Sequence, residues 1–216
     1  MSKKVLVILS GCGVYDGSEI HEAVITLVAL SSAGASVTCA APDKAQMHVI
    51  NHATGDEMTE TRNVMVESAR ISRGNISALS AVKADDFDAV FLPGGFGAAK
   101  NLCTFATEGP DCSIDSDTQR LLRDFHSAGK PVGAVCIAPA VVVKALGDVT
   151  VTIGQDEGTA AALSAMGGTH AARAASECNV DETNKVVTAP AYMLDAPLHE
   201  IAAGIQAAVT ETLRLA

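Results

Sequence analysis

The segment KPVGAVCIAPAVVVK, residues 130–144, decides how the rest of the chain is read. Residues 131–135 are an apolar run of strand length, and Ile137-Ala138-Pro139 opens a helix, where proline's missing N–H has no partner to lose. Cys136 is thereby placed at a strand-to-helix corner. That is the geometry of a nucleophile elbow, whose side chain projects into solvent with free N–H groups of the helix start beside it. Those groups and the positive end of the helix dipole favour thiolate over thiol. The plainer alternative is a small buried hydrophobe closing a strand, and the surroundings must decide.

Outward from this corner the chain alternates. Residues 4–9 and 88–92 read as strands buried on both faces, as in a parallel sheet, with 36–41 a further strand ended by Pro42-Asp43. A helix over 18–33 follows the first strand, with Asp16 and Glu19 spaced as a capping box and Gly34 as its stop. Residues 47–50 are expected to form a short strand and 63–71 a short helix, and 98–106 a helical or irregular piece. Past the acidic turn segment 107–117, residues 118–127 form a helix that ends at Gly129. Beyond the corner, strands are expected at 149–153, 170–175 and 185–188, with a helix over 158–166 and a turn at 181–184. The last helix, from Ala196, carries Leu198, Ile201, Ile205, Val209 and Leu213 three or four apart, one core-facing stripe. Such alternation implies an α/β fold, a doubly wound, mostly parallel sheet in one domain, 1–216.

Composition narrows the function. The 216 residues are 48% hydrophobic but only 3% aromatic, so the core is aliphatic and base stacking is disfavoured. The formal net charge is −10 with scattered basic residues, so nucleic acid and anionic membranes are not expected partners. The apolar run near the start is too short for a signal peptide, and no stretch reaches the roughly 18 apolar residues of a membrane span. A cytoplasmic protein is expected. Cys12, Cys39, Cys103, Cys112, Cys136 and Cys178 show no zinc-like spacing, so they read as reduced thiols with no metal.

Ligands of doubly wound sheets bind outside the carboxyl ends of the strands. Three loops of special composition fall there: 11–17, the glycine-rich 93–97, and the Cys136 corner. N–H groups at Gly94 or Gly95 and at Ile137 are candidates for an oxyanion hole. Gly94 and Gly95 read more simply as a tight turn. Glu22, one turn into the first helix among apolar neighbours, is poorly solvated. Burial and a nearby thiolate both raise the pKa of such a carboxyl, fitting it to exchange a proton with sulfur or substrate. The bland role of offsetting the helix dipole suits Glu19 better. Cys12 is a second thiol candidate, and no histidine adjoins Cys136 in sequence.

The segments SGCGVYDGSEIHEAV (10–24), APDK (41–44), MTETRNV (58–64), LPGGFGAAKNL (92–102), GKPVGAVCIAPA (129–140) and NKVVTAPAYM (184–193) span nearly the full length. Through them the chain resembles the PfpI superfamily, a branch of the class I glutamine amidotransferase-like fold with a flavodoxin-like sandwich. It is most similar to the ElbB family, named for enhancing lycopene biosynthesis. The resemblance puts the nucleophile on Cys136, its partner acid on Glu22 and the oxyanion-hole glycines on Gly94 and Gly95. It implies a glyoxalase that uses neither glutathione nor any cofactor, converts small 2-oxoaldehydes to 2-hydroxy acids, and is connected with protein deglycation and isoprenoid biosynthesis. A homodimer is also implied. Ile137 stands where many proteases and amidotransferases of the superfamily carry histidine, so a Cys-His-acid triad is not expected.

Two other readings compete. Gly11-x-Gly13 with Asp43 faintly resembles a dinucleotide fingerprint, but Gly17 comes one residue late and Asp16 would sit near the pyrophosphate. A non-enzymatic redox or stress sensor would use the same reactive cysteine.

Overall fold

The computed structural model describes residues 2–216, with Met1 outside the described residues. The strands are β1 (Lys4–Ile8), β2 (Ser36–Ala41), β3 (Ser77–Ala78), β4 (Ala89–Leu92), β5 (Val132–Val135), β6 (Thr150–Val151), β7 (Thr169–His170), β8 (Asn179–Asp181) and β9 (Val186–Ala189). The helices are α1 (Ile20–Ser32), α2 (Val64–Ile71), α3 (Phe105–Glu108), α4 (Ser116–Ser127), α5 (Pro139–Leu146), α6 (Glu157–Ala165) and α7 (Leu198–Leu215).

Seven strands form one sheet in the order β3-β2-β1-β4-β5-β9-β8, parallel throughout except for the β8–β9 hairpin at one edge. β6 and β7 make a separate parallel pair. The strict alternation of side chains along a strand explains the two cores. Leu6, Ile8, Val90, Leu92 and Val132 pack on one face against Leu121, Phe125 and Val141 of α4 and α5. Val5, Val7, Phe91 and Val187 pack on the other against Leu30, Ile201, Ile205 and Val209 of α1 and α7. Phe91 lies across Gly133, where a Cβ would overlap the ring. The doubly wound, mostly parallel sheet read from the sequence is the architecture observed.

Several local expectations are corrected. α1 starts at Ile20 and is capped by Glu19, whose carboxylate accepts the Glu22 N–H at 2.7 Å. Asp16 is not part of that cap: it is buried and accepts the Ile50 N–H at 2.8 Å. Residues 47–50 form no strand, because side chains take their donors: Met47 N–H bonds Asn101 Oδ1 at 3.0 Å, and Ile50 makes an isolated bridge to Glu57. The strand expected over 170–175 stops at His170, since its partner β6 is two residues long. β8, where no strand was expected, pairs antiparallel with β9, so the turn expected at 181–184 closes a hairpin. Leu198, first of the α7 stripe, is exposed; Ile201, Ile205 and Val209 are buried, and Leu213 is partly buried.

Candidate active site

β4 and β5 are neighbours in register, so the loop after Leu92 and the corner after Val135 open side by side at the sheet's carboxyl edge. Cys136 has φ +63°, a left-handed conformation for a residue with a Cβ, and its N–H is tied to Ala189 O at 3.0 Å. Such backbone costs on the order of 1–3 kcal/mol and persists where surrounding structure dictates it. The elbow is therefore present as read. Gly94 lies so close that a Cβ there would overlap the Cys136 Cβ and come within 2.7 Å of Glu22 Oε2.

Glu22 is fully buried and reaches the corner from α1. Its carboxyl accepts the Gly94 N–H at 2.9 Å and the Tyr192 N–H at 3.3 Å, and it contacts the Cys136 thiol. Burial, reinforced by the Glu19 charge, pushes the Glu22 pKa up to about 8, against the pull of its three hydrogen bonds. The N–H groups of Gly95 and Ile137 face the Cys136 sulfur. Gly94 is thus corrected: its N–H serves Glu22, and the oxyanion candidates are Gly95 and Ile137.

Cys136 itself also departs from expectation. It is only 7% exposed, and burial, then the Glu22 charge, hold its thiol well above the ordinary range. Desolvation outweighs the helix dipole here because α5 has only eight residues and starts three residues past the sulfur. When Glu22 carries the proton its repulsion is absent. A thiolate then faces only the burial cost, and the two amides offset part of it. The two groups are therefore coupled, and loss of one proton from the pair leaves either a carboxylate beside the thiol or a thiolate beside protonated Glu22.

The sulfur opens into a cavity of about 490 Å³ lined by Val14, Glu19, Phe96, Phe105, Asp156 and Tyr192, among others. Sequence reasoning missed Phe105, Asp156, Thr159, Tyr192 and Met193, which arrive from α3, α6 and the segment after β9. Tyr192 follows Ala191, another left-handed residue at φ +45°, and its hydroxyl is hydrogen-bonded to His21 Nδ1 at 2.7 Å. A histidine thus reaches the rim of the site, though not the sulfur. The only available signal was the AYM of the 184–193 segment.

The third loop serves a different purpose. Within residues 11–17, the Gly13 N–H bonds Ser18 O at 2.8 Å, the Gly17 N–H bonds Gly13 O at 2.7 Å and the Gly11 N–H bonds Ser68 Oγ at 2.8 Å. Such occupied donors leave no cradle for a pyrophosphate, which disfavours the dinucleotide reading. Cys12 lies near Glu67 and Arg70, with its pKa raised mainly by burial, and it does not line the cavity. Among the described residues no group of three or more His, Cys, Asp or Glu is placed to hold a metal ion.

An α/β sandwich with a strained cysteine at a strand-to-helix corner and a buried acid beside it defines a class before any comparison. The model of the DJ-1/PfpI family matches residues 3–191, and the chain belongs to that family. It is 50% identical over 222 residues to the human "Glutamine amidotransferase-like class 1 domain-containing protein 3, mitochondrial", covering 98% of this chain and 83% of that protein. The crystal structure of an isoprenoid biosynthesis protein with an amidotransferase-like domain from Ehrlichia chaffeensis superposes with a TM-score of 0.93 at 35% identity, over 99% of both chains. Drosophila melanogaster DJ-1beta shares the fold at a TM-score of 0.54 and 22% identity, covering 99% of this chain and 97% of that one. No described helix is long and apolar enough to cross a membrane.

Proposed function

We propose that the protein is a cysteine-dependent glyoxalase that needs no glutathione and converts 2-oxoaldehydes to 2-hydroxy acids. The observation that carries this reading is the buried Glu22–Cys136 pair with the Gly95 and Ile137 N–H groups aimed at the sulfur. Once the pair has given one proton to solvent and the other sits on Glu22, the thiolate adds to the aldehyde carbon, and the new alkoxide, held by the two amides, takes the Glu22 proton. Glu22 is left as a carboxylate beside a hemithioacetal C–H. It removes the C1 proton to give an enediolate, the hydroxyl proton passes from the C1 oxygen to the C2 oxygen, and Glu22 returns its proton to C2, which leaves a thioester of the 2-hydroxy acid. Water then adds to the thioester carbonyl and the thiolate departs. One proton stays on Glu22 and the acid's own goes to solvent. This isomerisation has no leaving amine to protonate, so it does not need the missing histidine.

The test is turnover of glyoxal and methylglyoxal by native protein, Cys136→Ser and Glu22→Gln. Native protein is expected to exceed Cys136→Ser by on the order of a thousandfold, and Glu22→Gln by roughly a hundredfold. Equal rates for native protein and Cys136→Ser would end the reading. Rapid peroxide conversion of Cys136 to sulfinate in an inactive protein would instead favour sensing.

Deglycation is the same chemistry on a carbonyl adduct and belongs to the proposal, as does the isoprenoid link borne in the name of the Ehrlichia chaffeensis relative. A homodimer is proposed for light scattering to test. The cytoplasmic location is likewise a proposal, set against the mitochondrial location in the human relative's name, and fractionation decides between them.

A further inference from the structure

We infer that the substrate is an uncharged 2-oxoaldehyde bearing an aryl or bulky alkyl group, rather than glyoxal or methylglyoxal; this rests on the glyoxalase reading and narrows it. The first reason is size. A cavity of about 150 Å³ already holds a benzene ring, and the space in front of Cys136 is roughly three times that. Glyoxal, with four heavy atoms, would leave most of this space to water against apolar walls.

The second reason is where the aromatic residues have gone. The chain has five phenylalanines, two tyrosines and no tryptophan, and Phe96, Phe105 and Tyr192 all line this one cavity. Phe96 is 48% exposed and Tyr192 36%, which leaves two large rings at the mouth unburied by the protein itself. Both residues have local partners. The Phe96 N–H bonds Val14 O at 2.8 Å and Lys100 Nζ sits 5.2 Å from its ring centroid, while His21 holds the Tyr192 hydroxyl. Fixed, exposed aromatic faces lose little entropy on binding and gain by covering apolar surface.

The third reason is their position relative to the chemistry. Phe96 directly follows Gly95, and Ile137 supplies both the other amide and an apolar side chain in the cavity. With the aldehyde carbon on the sulfur and its oxygen between these amides, the rest of the substrate extends over Phe96, Ile137 and Phe105. The remaining charged lining groups are Glu19 and Asp156, each placed as a helix cap. Two carboxylates at the wall disfavour an anionic substituent, and the one cation near Phe96, Lys100, is outside the lining with its ammonium bonded to Tyr15 O at 2.8 Å.

The experiment compares kcat/KM for phenylglyoxal, methylglyoxal, glyoxal and 4-carboxyphenylglyoxal, with Cys136→Ser subtracted as background. Phenylglyoxal is expected to exceed methylglyoxal at least tenfold through a lower KM, and the carboxylated analogue to lose about tenfold against phenylglyoxal. Phe105→Ala and Phe96→Leu should each shrink the phenylglyoxal-to-methylglyoxal ratio several-fold, a within-variant ratio that partial unfolding does not move. Methylglyoxal turned over as well as or better than phenylglyoxal would overturn the inference and leave the glyoxalase reading standing. No turnover of any of the four above background would end the glyoxalase reading and the substrate assignment with it.

Discussion

Two loops at the same sheet edge, residues 11–17 and the Cys136 corner, carry similar signatures: an apolar strand, a cysteine, small residues, then a helix. Their donors separate them. In the first loop the N–H groups of Gly11, Gly13 and Gly17 are all bonded within the protein. At the corner, the Gly95 and Ile137 N–H groups face a sulfur that opens into a cavity. The first loop in fact props the glycine-rich 93–97 turn that lies beside the corner. Gly17 O accepts the Gly97 N–H at 2.9 Å and Val14 O the Phe96 N–H at 2.8 Å, which fixes the turn that carries Gly95. What distinguishes a site from its scaffold here is where the hydrogen-bond donors point, not the glycine content.

Four perturbations would sharpen or break that contrast. The largest concerns the corner's acid. Glu22 titrates near 8 when folded against about 4.5 when unfolded, so the folded state binds the extra proton between those values and stability falls as pH rises through that window. Comparing urea midpoints, native protein should lose on the order of 3–5 kcal/mol more than Glu22→Gln between pH 4.5 and 8. Parallel pH curves would mean that Glu22 is not a buried acid. Next is the scaffold: a Cβ at Gly17 would overlap Cys12 N and sit 2.6 Å from Gly11 C. Gly17→Ala should therefore cost roughly 3 kcal/mol by the same measurement and lower turnover indirectly. An unaffected midpoint would show that the loop gives way and is no prop.

Tyr192→Phe removes the bond to His21 but keeps the ring and the N–H to Glu22. It should cost about 1 kcal/mol at most, read as a rise in KM of up to about fivefold with kcat nearly constant. A collapse of kcat would make the hydroxyl part of the chemistry instead. Smallest of all, Cys12→Ser should change turnover less than about twofold, because the thiol stands outside the cavity. A large loss there would abolish the division between scaffold and site.

The sheet was legible because β1 beyond Lys4 and all of β4, β5 and β9 are short, buried and punctuated by glycine and proline, signals that survive without tertiary information. Cys136 and Glu22 were legible for different reasons: one from its strand–turn–helix grammar, the other from a carboxyl placed among apolar neighbours. The protonation state of Cys136 was not legible, since burial depends on everything packed over the corner. Nor was the division of labour between Gly94 and Gly95, where adjacent amides point in different directions. The cavity wall was missed for a similar reason: Phe105, Asp156 and Tyr192 come from three distant segments whose short elements carry little periodicity.

The positive φ of Cys136 has a consequence for how this protein drifts. A glycine would sit at that corner without strain, so the backbone alone favours replacing the residue that the chemistry needs. Relief of that strain is offset by the lost packing of a buried side chain and by the backbone entropy of glycine, so Cys136→Gly is expected to be near neutral for the fold while it removes the sulfur outright.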